Sequence, residues 1–234
     1  MIRTMSLNRI RLTVACLVVA GTAGSCGGNP CDGPPPPRDV PADHVLLNPD
    51  SPELKALPPD SFDVRFETTK GDVTVRIYRD WAPMGVFRFY NLARHGFYDG
   101  SRFFRVLPGF AVQFGMSGRP QLDQVWNETR MPDDPRRVSN RSGTLSYAKA
   151  GPDTRTTQLF FNYADNVALD DLDFAPIGRV IDGMGVLYLL HSGYGETQPQ
   201  GSGPNFRCIL SHGNEYLSRK YRQLDHLERL VIEQ

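Results

Sequence analysis

From residue 61 onward, hydrophobic and polar positions alternate with a short period. Phe62, Val64 and Phe66 are separated by Asp63 and Arg65, and Val73, Val75 and Ile77 by Thr74 and Arg76. A period of two places each apolar set on one face of a strand. Thr69-Lys70-Gly71-Asp72 between the two runs reads as a turn, so the stretch predicts a β-hairpin with one apolar face. The period then lengthens. Val86, Phe89, Tyr90 and Ala93 lie on one face at helical spacing, with Pro83 suited to the first turn and Gly96 placed to end the helix. Further strands are predicted on either side of Pro108-Gly109 and over 143–148, 158–163 and 177–181, with a short helix over 186–191. Residues 117–142 are polar, carry Pro120, Pro132 and Pro135, and read as loop. Over 216–234, Leu217, Tyr221, Leu224, Leu227 and Val231 form an apolar stripe that predicts an amphipathic helix packed on its own domain. Many short strands with two short helices predict a mainly β domain: a closed barrel whose ends are plugged by helices.

The first 60 residues follow different rules. Arg3, Arg9 and Arg11 precede a mostly apolar run over residues 12–23, too short to cross a bilayer as an ordinary helix, which needs about 20 residues. The run ends in Ala23-Gly24-Ser25-Cys26, which resembles a bacterial lipobox in which Cys26 is lipidated. Ala23 departs from that pattern, where a branched residue is commoner, and an ordinary secretory cleavage site is the other reading. Residues 27–60 hold ten prolines, including Pro34 to Pro37 in a row. Such composition favours extended polyproline II, at about 3.1 Å per residue, and predicts a tether that stands the domain off a membrane. The layout expected is therefore a signal with lipobox over 1–26, a Pro-rich linker over 27–60, a folded domain over 61–213 and a helical extension over 214–234.

Composition narrows the function. The formal net charge is zero, and the chain beyond residue 26 keeps 23 basic and 26 acidic side chains, which gives no case for nucleic-acid binding. Beyond Cys26, the cysteines are Cys31 and Cys208; an exported chain meets oxidising conditions, but a free thiol in a tether is as compatible with the sequence as a pair. The five histidines lack zinc-like spacing, and Asp170 to Asp173 lacks the spacing and glycine of a calcium loop, so no metal or cofactor is expected.

The chemistry concentrates in FFRVLPGFAVQFG, residues 103–115. Around Pro108-Gly109, Arg105 and Gln113 fall near each other on facing strands, with Phe110 beside them. On pattern alone, an arginine paired with a surface carboxylate and an arginine facing a groove are both compatible. A second segment, GTLSYAKAGPDTRTTQLFF at 143–161, follows, and a third, FAPIGRVIDGM, at 174–184. In this order and spacing the three resemble the cyclophilins, the peptidyl-prolyl cis-trans isomerases. Members typically carry F-H-R-V-I-P-G-F-x-x-Q-x-G, then G-x-L-S-M-A-x-A-G-P-x-T-x-x-S-Q-F-F, then F-G-x-V-x-x-G-M.

The resemblance covers about residues 61–192 and implies a closed eight-stranded antiparallel barrel capped by two helices. It implies rotation of X-Pro bonds in polypeptides, with Arg105 as the catalytic arginine and Gln113 orienting it. Phe110, Phe160 and Leu169 match the walls of the proline pocket, and Ala111 stands where a Met often lines it. Ala148, Lys149 and Ala150 match the segment whose backbone binds the peptide, and Gln158 a further polar contact. Three positions depart from the family. Phe104 replaces a His and is expected to turn into the barrel. Ala168 stands where a Trp contributes to cyclosporin binding, so weak sensitivity to that inhibitor is expected. The groove His has no counterpart, Asp173 being nearest. The expectation is a monomeric folding catalyst without cofactor, exported and lipid-anchored at Cys26, facing the periplasm or cell exterior. The alternative from another class is a non-catalytic proline-peptide-binding module or holdase on a membrane tether.

Overall fold

The computed structural model describes residues 31–233, apart from 32, 35, 37 and 38. The expected signal and lipobox, with Cys26, lie outside the described residues. Eight antiparallel strands form one sheet in the order β3-β4-β6-β5-β7-β2-β1-β8. They are β1 (Ser61–Thr68), β2 (Gly71–Tyr78), β3 (Arg105–Leu107), β4 (Ala111–Phe114), β5 (Thr144–Tyr147), β6 (Leu159–Asn162), β7 (Pro176–Asp182) and β8 (Leu227–Glu233). The helices are α1 (Pro83–Arg94), α2 (Pro120–Glu128), α3 (Met184–Leu187) and α4 (Phe206–Lys220). The sheet curls into a half-barrel and does not close as expected: β3 and β8 are its edges. Residues just before β3 reach β8 through a few main-chain bonds, Gly100 N–H to Leu227 O at 2.8 Å and Leu227 N–H to Ser101 O at 2.8 Å. No strand ladder follows from them.

The β1–β2 hairpin forms where the alternation places it, with Phe62, Val64, Phe66, Val73, Val75 and Ile77 all buried. On the inner side of the sheet, Phe66, Phe114 and Phe161 meet within about 6 Å centroid to centroid, and Phe89 of α1 stacks on Phe66. Such aromatic clusters carry a large share of a core's buried area.

Three expectations change. The stripe over 216–234 is not one helix. Helix α4 starts earlier, at Phe206, and ends at Lys220, while Leu227–Glu233 becomes β8 and pairs with β1. Leu217, Tyr221, Leu224 and Leu227 are all buried, but from two elements, so their helical spacing was a coincidence of burial. The stretch 117–142 contains α2, opened by Pro120, with Leu122 and Trp126 buried. Within the expected 27–60 linker, residues 39–60 are also no free tether. Short 3-10 turns at Val45–Leu47 and Pro52–Leu54 bury Leu46 and Leu54 in the main core, and Trp126 donates its indole N–H to Leu46 O at 2.8 Å. Leucines among the prolines give this segment an apolar side that polyproline alone lacks. Cys31 forms a disulfide with Cys208 of α4, settling a pairing that the sequence left open.

Two buried carboxylates organise the helices. Asp134 accepts the N–H groups of Met84 and Gly85, each at 2.9 Å, at the start of α1, where Ala82 offers no side-chain cap. It also pairs with Arg155 at 3.0 Å, and Arg155 and Lys149 both reach Asp133. Asp123 of α2 accepts Ser117 N–H at 2.7 Å and Gly118 N–H at 3.0 Å. Burial pushes the Asp123 carboxyl from 3.8 up to about 7, against the pull of the Ser117 and Gly118 donors. The folded state therefore holds a proton that the unfolded chain releases. The stability this contributes is present in full below pH 3.8 and is lost as pH rises to about 7. Unfolding measured between about pH 5 and 7 should show wild-type stability falling with pH relative to Asp123→Asn, by at most about 1.4 kcal/mol per pH unit. Parallel profiles would exclude this role.

Candidate active site

The register sorts the site from the core. Across four strands, Arg105 pairs with Gln113, Gln113 with Phe160, and Phe160 with Ser146. The next row, Val106, Val112, Phe161 and Leu145, is fully or nearly fully buried in the main core. Successive side chains on a strand face opposite ways, so one row fills the half-barrel and its neighbour forms the outer groove. The β3–β4 turn needs Pro108 and Gly109 in that order. Phe110 N–H bonds Leu107 O at 3.0 Å, and Gly109 sits at φ 73°, open to glycine at the third position of such a turn. Gly115 ends β4 at φ 99°, and a Cβ there would lie 2.7 Å from Thr157 O, so only glycine lets β4 run this close to the segment carrying Gln158.

Within the groove, Arg105 donates from Nη1 to Gln113 Oε1 at 3.4 Å, and Gln113 Nε2 donates to Gln158 Oε1 at 2.9 Å. The guanidinium lies over the Phe110 ring, 5.7 Å from its centroid. Phe110 itself is fixed through its carbonyl, which accepts Tyr163 N–H and Asn166 Nδ2, both at 2.8 Å. Beside these, Ala111, Phe160 and Leu169 form a small apolar cluster separate from the main core, with Phe110 and Ala148 packed on it.

The site residues expected from the sequence are thus brought together, with Ala150 at the margin. Ala150 is exposed, and its N–H bonds Thr154 Oγ1 at 2.9 Å. Lys149 is buried, its ammonium 2.7 Å from Asp133 and 5.5 Å from the centroid of Phe174. The alternatives left open for Arg105 also meet: it faces the groove and pairs with a carboxylate. Glu196 accepts from Arg105 Nε at 2.5 Å and Nη2 at 2.7 Å.

Two residues were missed and one was misplaced. Phe174 completes the apolar cluster, 5% exposed and edge-on to Phe160 at 5.7 Å. Asp173, the residue nearest the family's groove His, is exposed and in the left-handed region at φ 55°. The signal for Phe174 was present, since Phe174 opens the third motif. Glu196 has no such signal, lying 91 residues from Arg105 in a Gly- and Pro-rich loop. Phe104 does not enter the half-barrel. It joins a second core with Cys31, Met116, Cys208, Ile209, Tyr216, Leu217 and Tyr221. Among the described residues, no group of three or more His, Cys, Asp or Glu could hold a metal ion.

Comparison with known proteins bears on this groove. A family model described as cyclophilin type peptidyl-prolyl cis-trans isomerase/CLD matches residues 63–206. The peptidyl-prolyl cis-trans isomerase of Acinetobacter baylyi is 32% identical over 134 residues, covering 53% of this chain and 69% of that protein. Peptidyl-prolyl cis-trans isomerase-like 2 of Gibberella zeae is 36% identical over 126 residues; the match covers 53% of this chain and only 22% of that longer protein. Among solved structures, a cyclophilin-type isomerase of Cryptosporidium parvum shares the fold at 20% identity, with a TM-score of 0.55 over 74% of this chain and 98% of that one.

Proposed function

The chain belongs to the cyclophilin-type peptidyl-prolyl cis-trans isomerases, and from that premise we propose that its outer groove accelerates rotation about X-Pro bonds in extracytoplasmic polypeptides. The observation that carries this reading is the row Arg105–Gln113–Phe160, with Phe110, Leu169 and Phe174 closing an apolar cup beside a guanidinium. The Cryptosporidium relative in fold was crystallised in the presence of the dipeptide Ala-Pro, which supports a prolyl ligand for such a cup.

The chemistry asks little else. Amide resonance gives the prolyl bond a barrier of about 18–20 kcal/mol. Twisting the bond localises the nitrogen lone pair, so the nitrogen becomes a hydrogen-bond acceptor only near the transition state. A guanidinium donating to it binds the twisted state more strongly than the planar one, and that difference is catalysis. Arginine keeps its charge at any physiological pH, so no proton has to be managed. No bond breaks, so neither a nucleophile nor a metal has a step to perform. The apolar cup holds the pyrrolidine ring while the preceding carbonyl swings.

The setting is part of the proposal. Basic residues at 3, 9 and 11, the apolar run over 12–23 and Cys26 support export with lipidation at Cys26. A disulfide between Cys31 and Cys208 suits an oxidising compartment. The protein acts as a monomer on the outer side of a membrane. Cys26→Ser should shift it from the membrane fraction to the soluble extracytoplasmic fraction; a variant that stays membrane-bound would remove the anchor from this reading. For the activity, the measurement is relaxation of a short X-Pro peptide, and a wild-type protein that leaves the uncatalysed rate unchanged would remove the catalytic reading in favour of peptide binding alone.

A further inference from the structure

Most of the groove is built by neighbouring strands, but Arg105 has one partner from elsewhere. Glu196 lies in the loop 188–205 between α3 and α4, and its carboxylate takes Nε and Nη2 of Arg105 side-on, as a two-point pair. Gln113 takes Nη1. An arginine has five N–H bonds in one plane. Three partner contacts thus fix that plane and leave the remaining N–H bonds for a substrate. The Arg105 side chain is 17% exposed and that of Glu196 31%, so the pair is partly shielded from water. Burial alone would push the Glu196 carboxyl up, but the hydrogen bonds and charge of Arg105, with the Thr197 donors, hold it below its ordinary value.

Glu196 is itself well held. Its Oε1 accepts Thr197 N–H at 2.8 Å and Thr197 Oγ1 at 3.1 Å. Its main-chain carbonyl accepts Gly203 N–H at 2.8 Å, and a Cβ at Gly201 or Gly203 would lie within 2.7 Å of that oxygen. The loop is pinned to the second core. Tyr194 meets Tyr221 edge-on at 5.0 Å, Tyr221 Oη donates to Gly203 O at 2.9 Å, and Tyr216 Oη accepts Asn205 N–H at 3.0 Å. Phe104, next to Arg105 in sequence, is buried in that same core. The strand end bearing the arginine and the loop bearing the glutamate are therefore clamped to one body, α4.

We propose that Glu196 is a positioning residue for the isomerisation, fixing the guanidinium plane of Arg105 toward the prolyl nitrogen from a strap that α4 holds in place. This rests on the isomerase reading given above. A side-on carboxylate lowers the entropy lost when Arg105 meets the twisted amide, so its removal should act on the chemical step more than on substrate binding.

The test uses the mature disulfide-bonded chain and a short X-Pro peptide, with kcat and KM measured separately. Glu196→Ala is expected to lower kcat about 5–20-fold with KM within about twofold, and Glu196→Gln, which keeps one acceptor, to lie between it and wild type. In an Arg105→Ala background, Glu196→Ala should change the residual rate less than about twofold, since the two act as a unit. Wild-type kcat in a folded Glu196→Ala or Glu196→Gln variant would overturn the assignment. So would a higher kcat, which would make the carboxylate a restraint. If Glu196→Ala does not fold, the near-isosteric Gln variant decides alone. An active wild type sensitive to Arg105→Ala but not to Glu196 changes overturns only this assignment; an inactive wild type overturns the isomerase reading with it.

Discussion

Arg105→Ala is expected to lower kcat/KM for an X-Pro peptide by roughly 10²–10³-fold, the loss typical of removing one preorganised donor at a developing acceptor. The fall should appear with little change in thermal stability. Arg105 is partly exposed, its ring partner Phe110 stays anchored through its own carbonyl, and Glu196 keeps its Thr197 donors and access to water. Arg105→Lys keeps the charge but not the planar fork that meets Glu196 at two points, and should recover only a small part of the rate. Retention of more than about a third of wild-type activity by the alanine variant, where a catalytic donor is worth far more, would show that the arginine is not the group that distinguishes the twisted amide.

Asp134→Ala is expected to have the largest effect on stability. The carboxylate is 2% exposed and serves as the missing cap of α1 while facing Arg155, itself 3% exposed. Its removal strands two helix N–H donors and takes one of two carboxylates from a buried guanidinium. Breaking a buried pair of this kind costs about 3–5 kcal/mol. Asp133 remains beside Arg155, so the lower end is expected, about 3 kcal/mol, or a fall in Tm of roughly 6–12 °C for a chain of this size. Because Asp133 also binds Lys149, the variant should loosen the 148–150 groove segment as well. A Tm within about 2 °C of wild type, far less than a buried pair is worth, would mean that water reaches the cluster and screens it.

What the sequence disclosed depended on how local each cause was. The β1–β2 hairpin is set by its own alternation and turn, and Arg105 and Gln113 sit eight residues apart in one hairpin, so their pairing could be read directly. The segment Leu227–Glu233 could not be read this way. Its fate is decided by an unpaired edge of β1 far away in sequence, and hydrogen bonding to that edge outweighs a helical stripe. Glu196 was hidden for the same reason, since nothing within ten residues of it refers to Arg105. Phe104 was misread because its neighbours suggested the half-barrel core, whereas it packs in a second core assembled from Cys31, α4 and the strap. Phe174 and Asp173 show the limit of spacing alone: a left-handed residue at 173 swings the chain and brings the next side chain into the cup.

The pairing of β1 with both β2 and β8 sets an order of events during folding. The hairpin closes over a two-residue turn, whereas joining Thr68 to Leu227 closes a loop of roughly 160 residues, with a length-dependent entropy cost of about 4.5 kcal/mol. The first ladder can form while the chain is still emerging; the second must wait until residues 227–233 are present. In that interval β1 offers a bare edge rich in Val and Phe, of the kind other chains can pair with. A protein proposed to hasten folding in its surroundings is thus, for a time, a slow and exposed folding problem of its own.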